Sequence, residues 1–341
     1  MAPDAVAEIA SPYAAPAPEM AGGFLRRERT VQDVDEQAAL LDTLDQRYEQ
    51  LSAGRYSGGL LEISFDGVDV FRERIDQSVQ QRGVGRDVYW TFATALELSA
   101  PAWWDGGFIE ADTVICFEPR REFDLRTPRV AECVGFSVTD ERLQRHLATC
   151  GSVDARAKLR GRSVVTRDRA RQDRLRALLA EAIDMATRFP ALFEQPAPRT
   201  LLVDALLQRL ADSLETQPVA QRLDSSRQTH VAQRSRDYVY ARLSEPFSIA
   251  ELCEAVGCSR RTLQYAFESV FGVNPVSYIR AVRLNGARRD LKSADRATSV
   301  QETAARWGFW HLPRFAGAYA RMFGELPSAT LRAARAGYSQ A

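Results

Sequence analysis

One pattern occurs twice in the C-terminal third of the sequence, and it limits the folds open to that region. The stretches RTLQYAFESVFGVNP (261–275) and GFWHLPRFAGAYARMFGELP (308–327) both place large apolar residues four apart, followed by glycine and proline. The matched pairs, each 52 positions apart, are Leu263 and Phe315, Phe267 and Tyr319, Phe271 and Phe323, Gly272 and Gly324, and Pro275 and Pro327. Residues spaced in this way line one face of a helix, and glycine commonly ends a helix. The repeat therefore predicts two similar helices.

A second repeat precedes each of these helices. Ser248 is followed three residues later by Glu251, and Ser299 is followed in the same way by Glu302. This spacing is the capping box that starts a helix. Each short helix, its glycine-containing turn and the longer helix behind it form a helix-turn-helix arrangement, so we predict one unit at 248–272 and another at 299–324. An inert helical repeat is the alternative for a doubled unit.

The distribution of charge favours DNA as the partner of this region. The chain has no net formal charge, yet residues 231–341 hold 16 lysines and arginines against 9 aspartates and glutamates. A basic region attracts an anionic partner such as nucleic acid or a membrane surface, and a solvated basic face is the alternative. Two matched helix-turn-helix units within the basic region indicate DNA binding.

Helical geometry predicts which residues of the first long helix face DNA. At about 100° per residue, Arg261, Gln264 and Tyr265 lie opposite the apolar face, together with Glu268. Arginine suits the guanine edge and glutamine suits the adenine edge in the major groove. Arg260, beside them, suits a phosphate. Simple surface solvation is the alternative for each of these side chains.

The second long helix has a different outward face. The same geometry places Pro313 and Gly317 outward, with Ala316 and Ala320, and none of these side chains donates a hydrogen bond. A face of small residues would allow the helix backbone to approach the duplex closely. Arg314 and Arg321 flank this face and are predicted to contact phosphates. His311, before the helix, is either a metal ligand or a residue of the helix start or of the packing, and we favour the latter two.

The N-terminal half has the pattern of a β-domain. Leu61, Ile63 and Phe65 alternate with other residues, and several more short candidate strands follow up to about residue 138, separated by turn signals. This spacing predicts an antiparallel sandwich or barrel over 30–150, after a disordered tail at 1–29. Two amphipathic helices and a linker follow over 151–230. Their apolar stripes either pack on the β-domain or pair with a second subunit, and we favour a homodimer.

The β-domain is predicted to bind a ligand rather than to catalyse a reaction. Residues 30–138 contain no histidine, and no nucleophile-base pattern is present. No metal site and no cofactor are therefore expected, because metal sites in such domains need clustered histidine and carboxylate ligands. An apolar pocket with a few polar groups fits better. Its candidate walls are Trp90, Trp103 and Trp104, and its candidate polar anchors are Arg72, Arg74 and Glu73.

The remaining composition favours the cytoplasm. The five cysteines are an odd number without a CxxC pair, which fits neither a disulfide framework nor a zinc ribbon. The N-terminal tail lacks the pattern of a signal peptide, and no run of about 18 apolar residues is present for a membrane span.

The C-terminal residues resemble the AraC/XylS family of transcription regulators. The stretches SRRTLQYAFESVFG, PVSYIRAVRLNGARRDL and GFWHLPRFAGAYARMFG carry this resemblance over most of 231–335. The stretches RYEQLSAGRYSG, VFRERIDQSVQQRG and WGFWHLPRFA resemble the branch that regulates ethanolamine-utilisation operons. The family's first base-contacting helix corresponds to Arg261, Gln264 and Tyr265. Its second corresponds to Leu312, Pro313 and Gly317, where this sequence lacks the polar side chains of other members.

The resemblance also implies a fold and partners. The expected fold class is α+β multidomain, with an N-terminal cupin-like antiparallel β-barrel or sandwich, a helical linker and an all-α C-terminal double helix-turn-helix domain over 231–336. The implied partners are promoter DNA, RNA polymerase and a small effector such as ethanolamine or another amino alcohol, with or without a corrinoid. We therefore expect an effector-dependent activator. An architectural DNA-binding protein without an effector is the alternative.

Overall fold

A computed structural model of the chain describes residues 23–149, 159–161, 163–215, 227–243, 245–293 and 298–338. These residues divide into two compact units. The first is formed by the described parts of Met1–Tyr48, Ser57–Asp76 and Gln81–Asp224, and the second by those of Glu49–Tyr56, Gln77–Gln80 and Ser225–Ala341. In the described part of the chain, no helix is both long enough and apolar enough to cross a membrane.

The first unit is an antiparallel β-sandwich of two sheets. Its strands are β1 (Leu25–Val31), β2 (Leu44–Gln50), β3 (Gly58–Phe65), β4 (Val68–Ile75), β5 (Val79–Gly85), β6 (Tyr89–Leu98), β7 (Ala102–Trp104), β8 (Gly107–Ile109), β9 (Val114–Phe117), β10 (Glu122–Arg126), β11 (Ala131–Thr139) and β12 (Val164–Thr166). The larger sheet has the order β1-β3-β4-β11-β6-β9-β12, and the smaller has the order β2-β5-β10-β7-β8. Both sheets keep edge strands, whereas a closed barrel has none. The sandwich is therefore confirmed, and the closed barrel is not formed by these strands.

The sequence alternation of these strands becomes two different faces of the larger sheet. One row of paired residues crosses five strands and consists of Ile63, Val70, Phe136, Phe92 and Cys116. All five are buried in one apolar core. The opposite face carries Phe71, Ala93 and Ile115, which belong to a second core between the sheets. The period of two residues thus produces one core on each side of the sheet.

Helices cover the outer face of the larger sheet. The first unit contains α1 (Val34–Ala38), α2 (Asp140–Thr149), α3 (Arg169–Arg188), α4 (Pro190–Glu194) and α5 (Pro196–Glu215). Helix α3 starts at the N-cap Asp168, whose side chain accepts hydrogen bonds from two backbone amides. Leu175 and Leu179 of α3, with Leu206 and Leu210 of α5, are buried in the same core as the sheet residues. The apolar stripes of the two predicted helices therefore pack on the sheet of their own chain.

Two predicted segments lie partly outside the described residues. The tail expected at 1–29 overlaps strand β1, which begins at Leu25 and pairs with β3 from that residue onward. Residues 1–22 of that tail are not described. The linker expected at 216–230 is described only from Arg227, where a helix begins.

The second unit is helical. Its helices are α6 (Arg227–Ala241), α7 (Ile249–Val256), α8 (Arg260–Phe271), α9 (Pro275–Lys292), α10 (Val300–Arg306), α11 (Leu312–Phe323) and α12 (Pro327–Tyr338). Helices α7 and α8 form the first helix-turn-helix, α10 and α11 form the second, and α9 connects them, as the repeat predicts. The capping box of Ser248 and Glu251 is present in full. In the second helix-turn-helix, the Ser299 side chain accepts a hydrogen bond from the backbone amide of Glu302 and donates one to the Glu302 carboxylate.

Two short stretches from earlier in the sequence belong to the second unit. The Asn285 side chain on α9 accepts a hydrogen bond from the Gln50 backbone amide at 3.2 Å and donates to the Gln50 carbonyl at 3.0 Å. The Tyr278 hydroxyl donates to the Gln80 side chain at 2.6 Å. Because Asn285 and Tyr278 are both buried, these bonds satisfy polar groups that would otherwise destabilise the unit.

Candidate nucleic-acid interface

Helix α8 separates a buried face from an exposed one. Leu263, Ala266, Phe267, Val270 and Phe271 are buried. The residues predicted to face DNA, Arg260, Arg261, Gln264 and Tyr265, are all exposed, as is Glu268. The helix starts at Ser259, whose hydroxyl accepts from the backbone amide of Thr262 at 3.1 Å. The angular prediction of the two faces of this helix is therefore confirmed, whereas contact with bases stays a prediction.

The exposed side chains of α8 contact one another in pairs. The Arg261 guanidinium lies 5.4 Å from the centre of the Tyr265 ring and donates to the Tyr265 hydroxyl at 3.3 Å. The Gln264 amide donates to a carboxylate oxygen of Glu268. Stacking on tyrosine holds the guanidinium in an extended position, which lowers the entropy that it would lose on binding a base. The second hydrogen of the Gln264 amide and its carbonyl oxygen are not used in the bond to Glu268.

Helix α11 repeats the buried face of α8 but not its polar face. Phe315, Tyr319, Met322 and Phe323 are buried. Pro313 is exposed, and Gly317 is partly exposed. A Cβ added to Gly317 would meet only the Arg321 guanidinium, at 3.6 Å. No packing contact within the described residues therefore requires glycine at this position, which leaves close approach by a partner as a reason for it.

His311 is part of the helix start. Its Nδ1 accepts a hydrogen bond from the backbone amide of Arg314 at 3.3 Å, which makes it the N-cap of α11. This confirms the helix-start interpretation of this side chain.

A surface cleft adjoins the outward face of α11. Pro313, Arg314, Gly317 and Arg321 line it, and so do two residues that the sequence analysis does not single out, Arg280 of α9 and Trp310. The Trp310 side chain is 78 % exposed. A large aromatic residue outside the repeated apolar positions was the available signal for Trp310. Arg280 had no comparable signal, because its position depends on how α9 packs against α11.

The residues predicted to bind an effector lie in other surroundings. Arg72 forms an ion pair with Glu132, and Arg74 is exposed. Trp90 donates to Asp140 at 2.9 Å, Trp104 donates to the Ser163 carbonyl at 2.6 Å, and Trp103 is fully buried. Of the predicted residues, Glu73 alone lines the apolar cavity between the sheets, together with side chains that were not predicted. Strand alternation explains this difference, because Arg72 and Arg74 point to the opposite face of β4 from Glu73.

Comparison with known proteins places the C-terminal region among DNA-binding domains. Residues 252–333 match the family described as a helix-turn-helix domain. The chain is 42% identical over 97 residues to the probable thc operon regulatory protein of Rhodococcus erythropolis, a match that covers 28% of this chain and 29% of that one. It is 38% identical over 101 residues to the XylDLEGF operon transcriptional activator of Pseudomonas putida, covering 29% and 32% of the two chains.

Solved structures of similar proteins include a probable AraC family transcriptional regulator from Rhodopseudomonas palustris. It is 34% identical, covers 30% of this chain and 96% of that one, and has a TM-score of 0.29. The AraC-like transcriptional activator CuxR is 16% identical, covers 77% and 96% of the two chains, and has a TM-score of 0.41.

The match to the curated relatives spans about three tenths of their length. Within that span, the family match and the relatives agree with the two helix-turn-helix units of the structure. The C-terminal region of this chain is a helix-turn-helix region similar to those of named transcription regulators.

Proposed function

We propose that the chain is an effector-dependent transcription regulator of the AraC/XylS family, and that it recognises promoter DNA with two unequal helix-turn-helix units. One observation carries the proposal. Helices α8 and α11 have the same buried face, but α8 exposes Arg261, Gln264 and Tyr265 where α11 has Pro313, Ala316 and Gly317. Base edges are recognised by side-chain hydrogen bonds. The first helix-turn-helix therefore supplies most of the base specificity.

The first helix-turn-helix contacts bases through the N-terminal turns of α8. Arg261 suits the O6 and N7 atoms of guanine, and Gln264 suits the N6 and N7 atoms of adenine. Each well-formed bidentate contact contributes about 1–3 kcal/mol of discrimination against the wrong base. Tyr265 supports Arg261 and lies on the same exposed face. Arg260, at the helix start, contacts a phosphate.

The second helix-turn-helix binds the duplex mainly through its shape and charge. Pro313 and Gly317 present a small surface, so the backbone of α11 can approach the base edges closely. Arg314 and Arg321 are exposed beside this surface and contact phosphates. Arg280, on the same cleft, supplies a third cation. Contacts to phosphate position a protein on DNA without distinguishing one sequence from another.

Selection of bound fragments from a pool of random DNA tests this proposal. The full-length chain should enrich one site in which a block of defined bases lies beside a block of weaker preference. The variant R261A/Q264A should lose the defined block, whereas R314A should retain it with lower affinity. Enrichment of no sequence would favour the architectural alternative. Loss of the defined block in R314A, with its retention in R261A/Q264A, would reverse the roles of the two units.

Activation through RNA polymerase and response to an effector rest on the sequence resemblance and on the relatives. The named Pseudomonas putida relative is a transcriptional activator. The resemblance to the ethanolamine branch favours ethanolamine or another amino alcohol as the effector. Transcription from the selected promoter in vitro, with and without RNA polymerase holoenzyme and ethanolamine, measures both properties. The proposed function requires no catalysis, and it places the protein in the cytoplasm, where bacterial DNA is found.

We also propose a homodimer, on a surface other than the one first expected. The stripes of α3 and α5 are covered by their own sheet, so they need no second subunit. Three large apolar side chains nearby remain exposed, namely Phe189, Leu192 and Leu201, the last at 71 %. Exposed apolar groups of this kind favour association between proteins. Light scattering of the wild type and of L201S should show a dimer and a monomer, respectively.

A further inference from the structure

The β-sandwich of the first unit encloses a cavity between its sheets. Its walls come from both sheets, with Leu44, Gln46 and Tyr48 from β2, Phe71 and Glu73 from β4, and Ala95 from β6. About 70 Å³ is open to the centres of water molecules. The cavity therefore has room for a small ligand.

The polar groups of the wall carry negative charge. Glu73 and Glu110 both line the cavity, and its described lining residues include no lysine, arginine or histidine. Glu110 is at an exposed position, whereas Glu73 faces the interior. The side chains of Gln37 and Tyr48 donate to one oxygen of Glu73, Oε1, at 2.9 and 3.0 Å. Both donors are neutral, so they fix the carboxylate in place without balancing its charge.

A second acceptor on the wall has no partner. The Gln46 side chain is 1 % exposed, and its Nε2 donates to the Ala38 carbonyl at 3.3 Å. Its Oε1 has no hydrogen-bond partner. A buried acceptor without a partner is destabilising by about 1–3 kcal/mol. A ligand that donates hydrogen bonds would therefore satisfy Gln46 in the same cavity that contains Glu73.

We propose that this cavity binds a small organic ammonium ion, with the ammonium group on Glu73 and a hydrogen-bond donor on Gln46. The apolar walls from Leu44, Phe71 and Ala95 suit a short carbon chain. Two carboxylates disfavour an anionic ligand of the same size. As the site of the effector, the cavity rests on the proposed function, whereas ligand binding itself does not depend on DNA binding.

Burial disfavours the charged form of Glu73, and a bound cation offsets this effect. Loss of solvation raises the pKa of the Glu73 carboxyl, against the hydrogen bonds from Gln37 and Tyr48, which lower it. A cation on the carboxylate replaces part of the lost solvation and favours the charged form. A neutral ligand provides no such compensation.

Isothermal titration calorimetry of the full-length protein tests the proposal with ethanolamine, 1-aminopropane and 1,4-diaminobutane as probes. Ethylene glycol is the neutral match for ethanolamine, and glycolate is the anionic match. We expect heat of binding from at least one of the three amines and none from ethylene glycol or glycolate. E73Q keeps an acceptor for Gln37 and Tyr48 but removes the charge, so binding of the amine should weaken at least tenfold.

Two further variants separate the site from the fold. E132Q changes a carboxylate on the opposite face of the same sheet, where Glu132 pairs with Arg72, and it should leave amine binding unchanged. A95M fills the cavity without touching either carboxylate and should abolish binding, which gives a second result if E73Q is poorly folded. No heat from any amine with the wild type, equal affinity for ethylene glycol, or full binding by A95M would each overturn the proposal.

DNA binding measured on the same samples separates the two proposals. A protein that binds its selected DNA but none of the amines keeps the proposed function and loses the ammonium site. A protein that binds an amine but shows no preference for any DNA sequence has the site and loses the proposed function.

Discussion

Gly286 of α9 lies against the indole of Trp307, at the end of α10. A Cβ added to Gly286 would stand 2.2 Å from the nearest ring atom. The ring cannot move away freely, because its Nε1 donates to the Asp290 carboxylate at 2.9 Å. The connecting helix and the second helix-turn-helix therefore fit together only if residue 286 has no side chain.

Replacement of Gly286 by alanine should destabilise the helical unit. Alanine favours a helix over glycine by about 1 kcal/mol, but overpacking of this severity costs about 1–3 kcal/mol and also disturbs the bond to Asp290. We expect a lower unfolding temperature for that unit by differential scanning calorimetry of the full chain. An unchanged or higher temperature would show that the indole has room to shift.

Gly317→Ala is the matched substitution without a clash. The new Cβ would meet only the Arg321 guanidinium at 3.6 Å, so helix propensity should stabilise the second unit by up to about 1 kcal/mol. If α11 approaches DNA as closely as we propose, the same methyl group should weaken binding. The expected result is a higher unfolding temperature together with a lower affinity in gel-shift titrations. Unchanged affinity would remove Gly317 from the DNA contact.

Gln264→Ala tests base recognition by the first helix-turn-helix. In the free protein the Gln264 amide donates to Glu268, so its loss costs no buried contact. We expect base preference to relax at one or two positions of the selected site, with little change in the stability of the protein. Gln208→Ala, at an exposed position of α5 and paired in the same i,i+4 manner with Asp212, is the control. An unchanged preference profile for Gln264→Ala would show that this side chain does not contact a base.

The elements of the second unit follow from local sequence signals. Ser248, Ser259 and Ser299 each cap a helix, and Gly257 and Gly272 end helices with φ near 70°, so chemistry within a few residues determines these boundaries. The domain predicted over 231–336 includes most of helix α6, whereas the segments 49–56 and 77–80 were not predicted as parts of this unit. Their place depends on bonds such as Asn285 to Gln50, which join residues 235 apart and leave no local pattern.

The ligand cavity was the least predictable part. Arg72, Glu73 and Arg74 were predicted together as polar anchors, although adjacent side chains of a strand point to opposite faces. Which face meets the cavity depends on which face the helices cover. Leu175 and Leu206 cover the face that carries Ile63 and Phe92, and this packing was one of two alternatives left open by their apolar stripes.

Glu62 should make the stability of the first unit depend on pH. Burial and the nearby charge of Asp69 raise the pKa of Glu62 to about 7, although Arg27 binds its carboxylate at 2.7 Å and lowers it. Asp42 and Asp69 both face the Arg27–Glu62 pair, so they favour the charged form of Arg27 and disfavour that of Glu62.

The linkage between proton binding and folding gives the direction of this pH dependence. The folded state binds the Glu62 proton more tightly than the unfolded state, so the free energy of unfolding falls as pH rises from about 4.5 to about 7. E62Q should reduce this slope and be more stable than the wild type at pH 8, by an amount on the order of 2 kcal/mol. E28Q, an exposed carboxylate on β1, should leave the slope unchanged. Urea titrations at several pH values measure both, and identical slopes for E62Q and the wild type would contradict this account.

Arg321→Ala tests the role proposed for the second helix-turn-helix. Arg321 is exposed beside Gly317 on the cleft of α11, where it can contact a phosphate but has no buried partner to lose. Removal of one phosphate contact should weaken binding to all sequences alike and reduce the slope of log K against log salt by about 0.9. Arg332→Ala on α12, also exposed but not part of that cleft, should leave the slope unchanged. A changed base preference with an unchanged salt slope would mean that the second unit contacts bases through Arg321, and that base specificity is shared between the two units.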